Sequence, residues 1–561
     1  MRKDIWKNAF NQAMSELSEE DLTVEEKTRK EKHTPAGKPG IRFIQKLAPY
    51  LAIAAVLAIF IRFVLVDPLH LFGPSQSFLP GKIVNETLSG GVPHNVDLPH
   101  DGFQESDMTL SNDVYPTAEQ NAEPSYNAAQ LTLVRAVYPD QLRYTKENVR
   151  DQDSDFRMRK SQERLQRRKT AAAYKGKLDA FYQSSLEAFL TDSKDDNALI
   201  SPAGLFLSLS LLAESAEGES REEILQVLGA ETIEELRGLS ATFWQNEYND
   251  DGLYTCCFAN SVWLNTVWLD SPGYPAFIPG LYTVRDDALQ RIKDSYFASV
   301  FQGDMRSEEY NTCFRNWLSE ETGLLFPNGV NSPVLDPFSL LEIASTVNFN
   351  ARWVFPFNPE QTTEGIFRGK KEDTTVSYMR MSIDDIYYYG EQFSAVNLSL
   401  SGANTLWLFL PDEGIDVRSL AADEAVFSLM KTAEDGNAYG AAEAALAIVH
   451  LSLPKFTVSL ENNLIPAFEQ MGIQKVFTKG EADLSGLLIT EEPAYVSKAT
   501  NSLRLTVDEE GVKASSLITL DYAGARKPDK EVDFTLDRPF LYAVTSHTGG
   551  LLFVGVVDQI G

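Results

Sequence analysis

Leu503-Arg504-Leu505-Thr506-Val507-Asp508-Glu509-Glu510-Gly511-Val512-Lys513-Ala514-Ser515-Ser516 begins as a strand and does not finish as one. Apolar and polar residues alternate through Val507, the pattern of a half-buried strand. Three acidic residues and Gly511 interrupt it, and small residues follow. The segment then runs out through Ala523-Gly524-Ala525-Arg526-Lys527-Pro528-Asp529-Lys530, which has the composition of an exposed loop. Strong strand material comes next, Phe540-Leu541-Tyr542-Ala543-Val544 and Leu551-Leu552-Phe553-Val554-Gly555-Val556-Val557. A stretch able to alternate as a strand, yet left as a loop between strands, is the feature that organises the chain.

The 561 residues exceed one typical domain. A hydrophobic content of 43% and an aromatic content of 11% suit a globular protein with a sizeable core. The formal net charge of −30 argues against sequence-independent nucleic-acid binding, which needs clustered Lys and Arg. Cys256, Cys257 and Cys313 make no disulfide framework. Neighbouring Cys256 and Cys257 point to opposite faces of any strand, so buried free thiols are expected.

Upstream, Met1 to Lys46 is polar and ends basic, with Lys27, Arg29, Lys30, Lys32, Lys38, Arg42 and Lys46. Leu47 to Val66 is apolar apart from Arg62, close to the roughly 20 residues that span a bilayer. Beyond Asp67 the flank turns acidic, so the charge bias puts residues 1–46 in the cytoplasm and the rest outside. A cleaved signal peptide is the competing assignment, with an unusually long charged n-region and no small-residue cleavage pair. Residues 67–172 are assigned to an extracytoplasmic stalk, rich in Pro, Asn, Ser and Asp at first. Within it, Leu131 to Tyr138 is a candidate docking segment. The run Arg157 to Lys169 carries seven basic residues and one Glu163, at spacing that suits a solvated helix face or a polyanion site.

Residues 173–561 form one dense region. Helical patterns come first, at Leu178 to Leu190, Pro202 to Leu212 and Arg221 to Leu228 with Gly229 as the stop. Strand patterns dominate later, as at Thr405 to Leu410. Helices early and strands late imply an α+β fold. No phosphate loop, dinucleotide fingerprint, HExxH or GxSxG occurs, so catalysis has no positive support. The six histidines form no ligand-spaced pair, and no metal or cofactor is implied. His450, in an alternating apolar run, suits a strand position better than a catalytic base.

Several separated stretches resemble the serpin family, over about 385 residues from Ala173 onward. They are Asn197-Ala198-Leu199-Ile200-Ser201-Pro202, Gly218 to Ile224, Phe314-Arg315-Asn316-Trp317 with Thr322-Gly323, and Arg352-Trp353-Val354-Phe355-Pro356-Phe357. Phe409 to Gly414, Leu453-Pro454-Lys455-Phe456, Met471-Gly472-Ile473, Ala482 to Gly486 and Asp537-Arg538-Pro539-Phe540 complete the set, in the family's order.

The resemblance implies a metastable fold of three β-sheets and about nine helices with an exposed reactive-centre loop, here preceded by a single N-terminal transmembrane helix. It implies a suicide inhibitor of serine proteases, in which the cleaved loop enters the central sheet as a new strand. The hinge then comprises Glu509, Gly511, Val512, Ala514, Ser515 and Ser516. Alternation would send Val512, Ala514, Ser516 and Ile518 inward, and Lys513, Ser515, Leu517 and Thr519 outward, with no charge or proline on the inward set. Val512 and Leu517 depart from the family's smaller or hydroxylated residues. Lys455 and Glu509 match a pair beside Trp353 at the top of the sheet. In the sheet-opening region Ser201 matches, while Gly204, Ser345 and Asn501 stand where Ser, Asn and His are common.

The resemblance implies a reactive bond within Ala525, Arg526 and Lys527. The family's spacing from Glu509 places Ala525, which suits an elastase-like enzyme, just before the bond, while counting back from Pro539 places it nearer Pro528. Between those limits Arg526 is the best anchor, suited to a trypsin-like pocket with an acidic floor, and Pro528 counts against Lys527. The expected partner is an extracellular serine protease, met by a monomer held at a bacterial-type membrane through residues 47–66, with no nucleic acid. The rivals are a non-inhibitory serpin acting as a surface binding or scaffold protein, and an anchored hydrolase without motif support.

Overall fold

The computed structural model describes residues 128–145, 154–191, 197–267, 269–271, 274–275, 282–322, 333–431, 443–491, 494–512 and 530–560. All fall in one compact unit, 114–561. A helical turn, Ala128–Leu131, leads into strand β1 (Thr132–Val134), and helix α1 (Ser154–Ala171) follows. Helix α2 (Asp179–Leu186) runs on into a π-helical turn, Glu187–Thr191, before strand β2 (Asn197–Ile200) and helices α3 (Pro202–Ser215), α4 (Gly218–Leu228) and α5 (Ile233–Glu247). Ser201 caps α3 by accepting the Gly204 N–H at 3.1 Å, with Pro202 fitted to the first turn. Every residue of α3 is buried, which its nearly all-round apolar surface requires. Gly229 stops α4 in the left-handed conformation, φ 67°.

The centre of the chain supplies β3 (Thr255–Asn265), α6 (Asp286–Tyr296), β4 (Ala298–Gly303), α7 (Glu308–Thr322), β5 (Leu341–Arg352), β6 (Thr363–Arg368), β7 (Asp373–Tyr389), β8 (Phe393–Leu400), β9 (Asn404–Pro411) and α8 (Glu424–Lys431). The last part adds β10 (Glu443–Pro454), β11 (Phe456–Asn463), α9 (Ile465–Met471), β12 (Ala499–Asp508), β13 (Gly511–Val512), β14 (Lys530–Thr535), β15 (Phe540–Thr545) and β16 (Leu551–Val557). The described residues thus hold nine α-helices of seven residues or more.

The first sheet runs β1-β4-β3-β5-β13-β12-β11. The second runs β14-β10-β7-β8-β9-β15-β16-β2, with β6 also on β7. It is two sheets joined through long β7, whose start pairs β6 and whose last two residues, Tyr388 and Tyr389, pair β8. The expected three sheets follow from that division. One face of the first sheet buries Val347, Phe349, Ala351, Leu503, Leu505 and Val507 in the main core. Its other face packs a smaller cluster, including Trp263, Phe301 and Trp317, beneath α7.

Residues 128–145 and 154–171 fall in the stretch assigned above to the stalk, and both pack on this body. β1 pairs antiparallel with β4. Tyr138 stacks on Trp244 with centroids 5.5 Å apart, and its hydroxyl donates to Glu321 at 3.1 Å. Of the basic run, Lys160 and Arg167 turn inward: Lys160 meets Asp251 at 3.0 Å, and Arg167 donates to the Asn246 and Tyr248 carbonyls. Arg157, Arg159, Arg164, Arg168 and Lys169 stay exposed.

Cys256, Cys257 and Cys313 are free thiols, the first and last buried and Cys257 half-buried. His450 lies on exposed strand surface, its Nδ1 2.9 Å from Ser382 Oγ. Among the described residues no helix is long and apolar enough to cross a membrane, and no three His, Cys, Asp or Glu side chains could hold a metal ion. Residues 47–66 lie outside the described residues.

Candidate insertion site

β5 and β12 run parallel, and at one end they pair directly: Ala499 with Ile343, Thr500 with Ala344, Asn501 with Ser345. At the other end the two-residue strand β13 lies between them, antiparallel to both. Gly511 pairs with Arg352 and Asp508, and Val512 with Ala351 and Val507. Between these ends, among the described residues, 346–350 of β5 and 502–506 of β12 have no strand partner on their facing sides. The result is a slot of strand width with its first rung already filled. Val512 is buried at 1% exposure, beside Ala351 and Val507 on the core face.

The mouth of the slot is held by a turn. The Asp508 side chain accepts from the Glu510 N–H at 2.9 Å and from the Gly511 N–H, the local bonding that Asp favours in turns. Trp353, just past the end of β5, clamps it: its indole N–H donates to the Asp508 carbonyl at 2.8 Å, and its backbone N–H to the Glu510 carbonyl. Phe357 packs edge-on against the same indole.

Lys455 meets Glu509 at 2.8 Å, and the Thr362 hydroxyl donates to the other carboxylate oxygen at 3.0 Å. Burial alone would push the Glu509 carboxyl up. The Lys455 ammonium, its own backbone N–H and Thr362 outweigh that and hold it below the usual value. Trp353, Lys455 and Glu509 are therefore brought together, as the family resemblance implies. Asp508 and Thr362 are additional members; the spacing Asp508-x-x-Gly511 carries a turn signal that could have identified the first.

Where the slot closes, Ser345 is buried and bridges β3 and β12 through backbone pairs with Asn260 and Asn501. Ser201 is spent on capping α3. The helix is pressed on β5 at Gly204, where a methyl group would stand 2.9 Å from Val347. Asn260 Oδ1 and Thr346 Oγ1, both buried nearby, have no hydrogen-bond partner among the described residues. The polar ties across this region are correspondingly few. Ala514, Ser515, Ser516, Ala525, Arg526 and Lys527 lie outside the described residues.

The profile described as "Serpin (serine protease inhibitor)" matches residues 177–560. Plasminogen activator inhibitor 1 of Neovison vison is 25% identical over 389 residues, covering 65% of this chain and 88% of that protein. Human neuroserpin is 26% identical over 383 residues, covering 65% and 86%. Alpha-1-antiproteinase 2 of Equus caballus is 28% identical over 373 residues, covering 65% and 82%. Among solved structures, native tengpin, a thermophilic serpin, superposes with a TM-score of 0.58 at 21% identity, over 76% of this chain and 99% of that one. Serpin48 of the insect Tenebrio molitor gives 0.54 at 23% identity, over 70% and 98%. With the slot, its seated first rung and the clamp at Trp353 in the same chain, the protein belongs to the serpin family, a family of protease inhibitors rather than catalysts.

Proposed function

We propose that this protein inhibits a serine protease as a suicide substrate. The observation that carries this is β13: Gly511 and Val512 sit as the first pairs of a strand whose remaining places on β5 and β12 are open. Strand addition fills backbone donors and acceptors on both sides at once, a large gain for a chain already attached at the mouth.

Continued inward, the register seen at Val512 brings Ala514 opposite Phe349 and Leu505, Ser516 opposite Val347 and Leu503, and Ile518 opposite Ser345 and Asn501. The first four of those neighbours are buried on the core face, so the set Val512, Ala514, Ser516, Ile518 is the inward one. It holds no charge, and a strand of these residues can be buried without an unpaired ion.

The bait is Ala525 to Lys527. Arg526 suits a trypsin-like enzyme and Ala525 an elastase-like one. A monomeric domain displayed outside the cell, tethered through residues 47–66, would meet its protease there. Incubating the full chain with enzymes of both kinds should give a complex that survives boiling in detergent. N-terminal sequencing of the released C-terminal fragment then fixes the scissile bond. Clean turnover of the chain by both enzymes, with no complex, would sink the proposal. Cleavage without any gain in stability would point to a non-inhibitory binding protein.

A further inference from the structure

Helix α1 lies outside the matched region 177–560, yet it packs on the body along one side. Phe156, Lys160 and Ala171 are buried, and Glu163 and Arg167 half-buried. Phe156 meets Tyr144 edge-on at 4.9 Å. At 3.6 residues per turn, Met158 and Leu165 fall diametrically opposite to this inner face and share one stripe. Both are large apolar side chains left in solvent, 55% and 54% exposed. Arg157, Arg164 and Arg168 line one flank of that stripe, and Arg159 and Lys169 the other, all of them exposed.

The charges on this outer face are not spent within the protein. Glu163, the acid inside the run, turns inward to Lys160 at 3.2 Å and to Arg167 at 2.9 Å. Arg164 donates to the neutral Tyr144 hydroxyl at 2.8 Å, and Arg157, Arg159, Arg168 and Lys169 form no ion pair among the described residues. Asp155, in the first turn, is the one exposed acid of the helix. In a chain with 80 acidic residues against 50 basic ones, a helix face that only needs water would carry both signs.

We propose that the outer face of α1 is a docking surface for an anionic phospholipid bilayer, with Met158 and Leu165 entering the headgroup boundary between two rows of cations. Charge complementarity selects a phosphate-bearing surface, toward which the rest of a chain with formal net charge −30 is repelled. The apolar stripe selects a bilayer over a soluble polyanion, which has charge to offer and nothing to take Leu165. The helix is about 27 Å long and presents its cations along a straight edge, which suits an extended flat surface. The tether proposed above through residues 47–66 would keep such a surface within reach, but recognition of lipid by α1 does not depend on it or on loop insertion.

The test uses the full chain with vesicles of phosphatidylcholine alone or mixed with phosphatidylglycerol. A fluorophore on Gln162→Cys, an exposed position of the same face, is read against lipids that carry a nitroxide on the headgroup. Cys256 and Cys313 are buried and Cys257 half-buried, so labelling of the parent chain supplies the blank. Quenching should appear in the mixed vesicles only and fade as salt rises. Arg157→Gln, Arg168→Gln and Lys169→Gln together should abolish it, each cation near such a surface being worth about fivefold. Met158→Ser with Leu165→Ser should weaken it and leave binding of soluble polyphosphate unchanged. All five positions are exposed, and an unfolding midpoint equal to the parent's shows that the variants are folded. Equal quenching in both kinds of vesicle, or none in either, would overturn the proposal. So would quenching insensitive to the serine pair, the mark of a polyanion site, or self-association that the glutamine variants remove. Flotation separates this result from the tether. A chain that floats with both vesicles and is never quenched keeps its anchor and loses the docking surface. A chain that floats and is quenched with the mixed vesicles alone keeps the docking surface and loses the anchor.

Discussion

A methyl group on Gly511 would stand 2.3 Å from the carbonyl oxygen of Ala351, and the residue's φ of 152° is one that side chains avoid. β13 can enter the slot only because this position has no Cβ. Gly511→Ala should therefore unseat the first rung, at a cost of roughly 1–3 kcal/mol to the intact form. Limited proteolysis by an enzyme with no claim on the bait residues checks this. Cleavage near residues 511–513 should accelerate in the variant and not in wild type.

The register also separates neighbouring residues of the loop. Ser516→Asp would drive a carboxylate between Val347 and Leu503, both buried, where an unpaired charge costs several kcal/mol. That variant should be cleaved and turned over by its protease instead of trapping it. Ser515→Asp, one residue away and on the outward face, should still trap. Counting trapped against cleaved chains on a denaturing gel decides it, and equal behaviour of the two variants would mean that the register is wrong.

Lys160 and Asp251 are each 4% exposed, and their charges are 3.0 Å apart. Breaking such a pair from one side leaves an uncompensated buried ion, a loss of roughly 3–5 kcal/mol. Lys160→Met should lower the unfolding midpoint accordingly. Arg159→Met, on the exposed side of the same helix, should stay within about 0.5 kcal/mol of wild type. A basic run that looks uniform in composition would thus divide into anchors and outward-facing charge.

Glu342 gives the pH dependence a sign. Its folded pKa, about 7, is raised above the unfolded value near 4.5, chiefly by burial. The stability linked to its proton is full below about 4.5 and is lost as pH rises through about 7. Glu342→Gln should remove that part of the fall in unfolding midpoint between pH 5 and pH 8. A variant with the wild-type slope would assign the dependence to other groups.

Local signals made much of the fold legible. The helix start at Pro202, Gly229 after Leu228 and the apolar strand run Thr405 to Leu410 all stand in the structure where the sequence implies them. Each acts within a few residues of itself, which is why one chain suffices to read it. The stretch Asn197 to Ile200 is a strand on β16 before it is the approach to a helix, because its partner lies more than 350 residues away. The site divides the same way. Alternation alone implied an inward set, but the clamp of Trp353, Lys455 and Glu509 was visible only through the family resemblance. The pairing of Glu342 with Lys498 depends on which strands are neighbours, and no spacing in sequence carries that. The inward turn of Lys160 needed Asp251 to be in place.

β1 matters beyond the contacts it makes. The outer edge of a long sheet is a row of unsatisfied backbone groups, ready to pair with a strand from another molecule. A chain whose working principle is to accept a strand is especially exposed to accepting the wrong one. By lying along β4, Thr132–Val134 covers one lateral margin of the first sheet with the protein's own backbone. Among the described residues the edge on that side is then a strand of only three residues, while the other margin is the eight-residue β11. Copies of this protein joining edge to edge would find less backbone to pair with on the β1 side than on the β11 side.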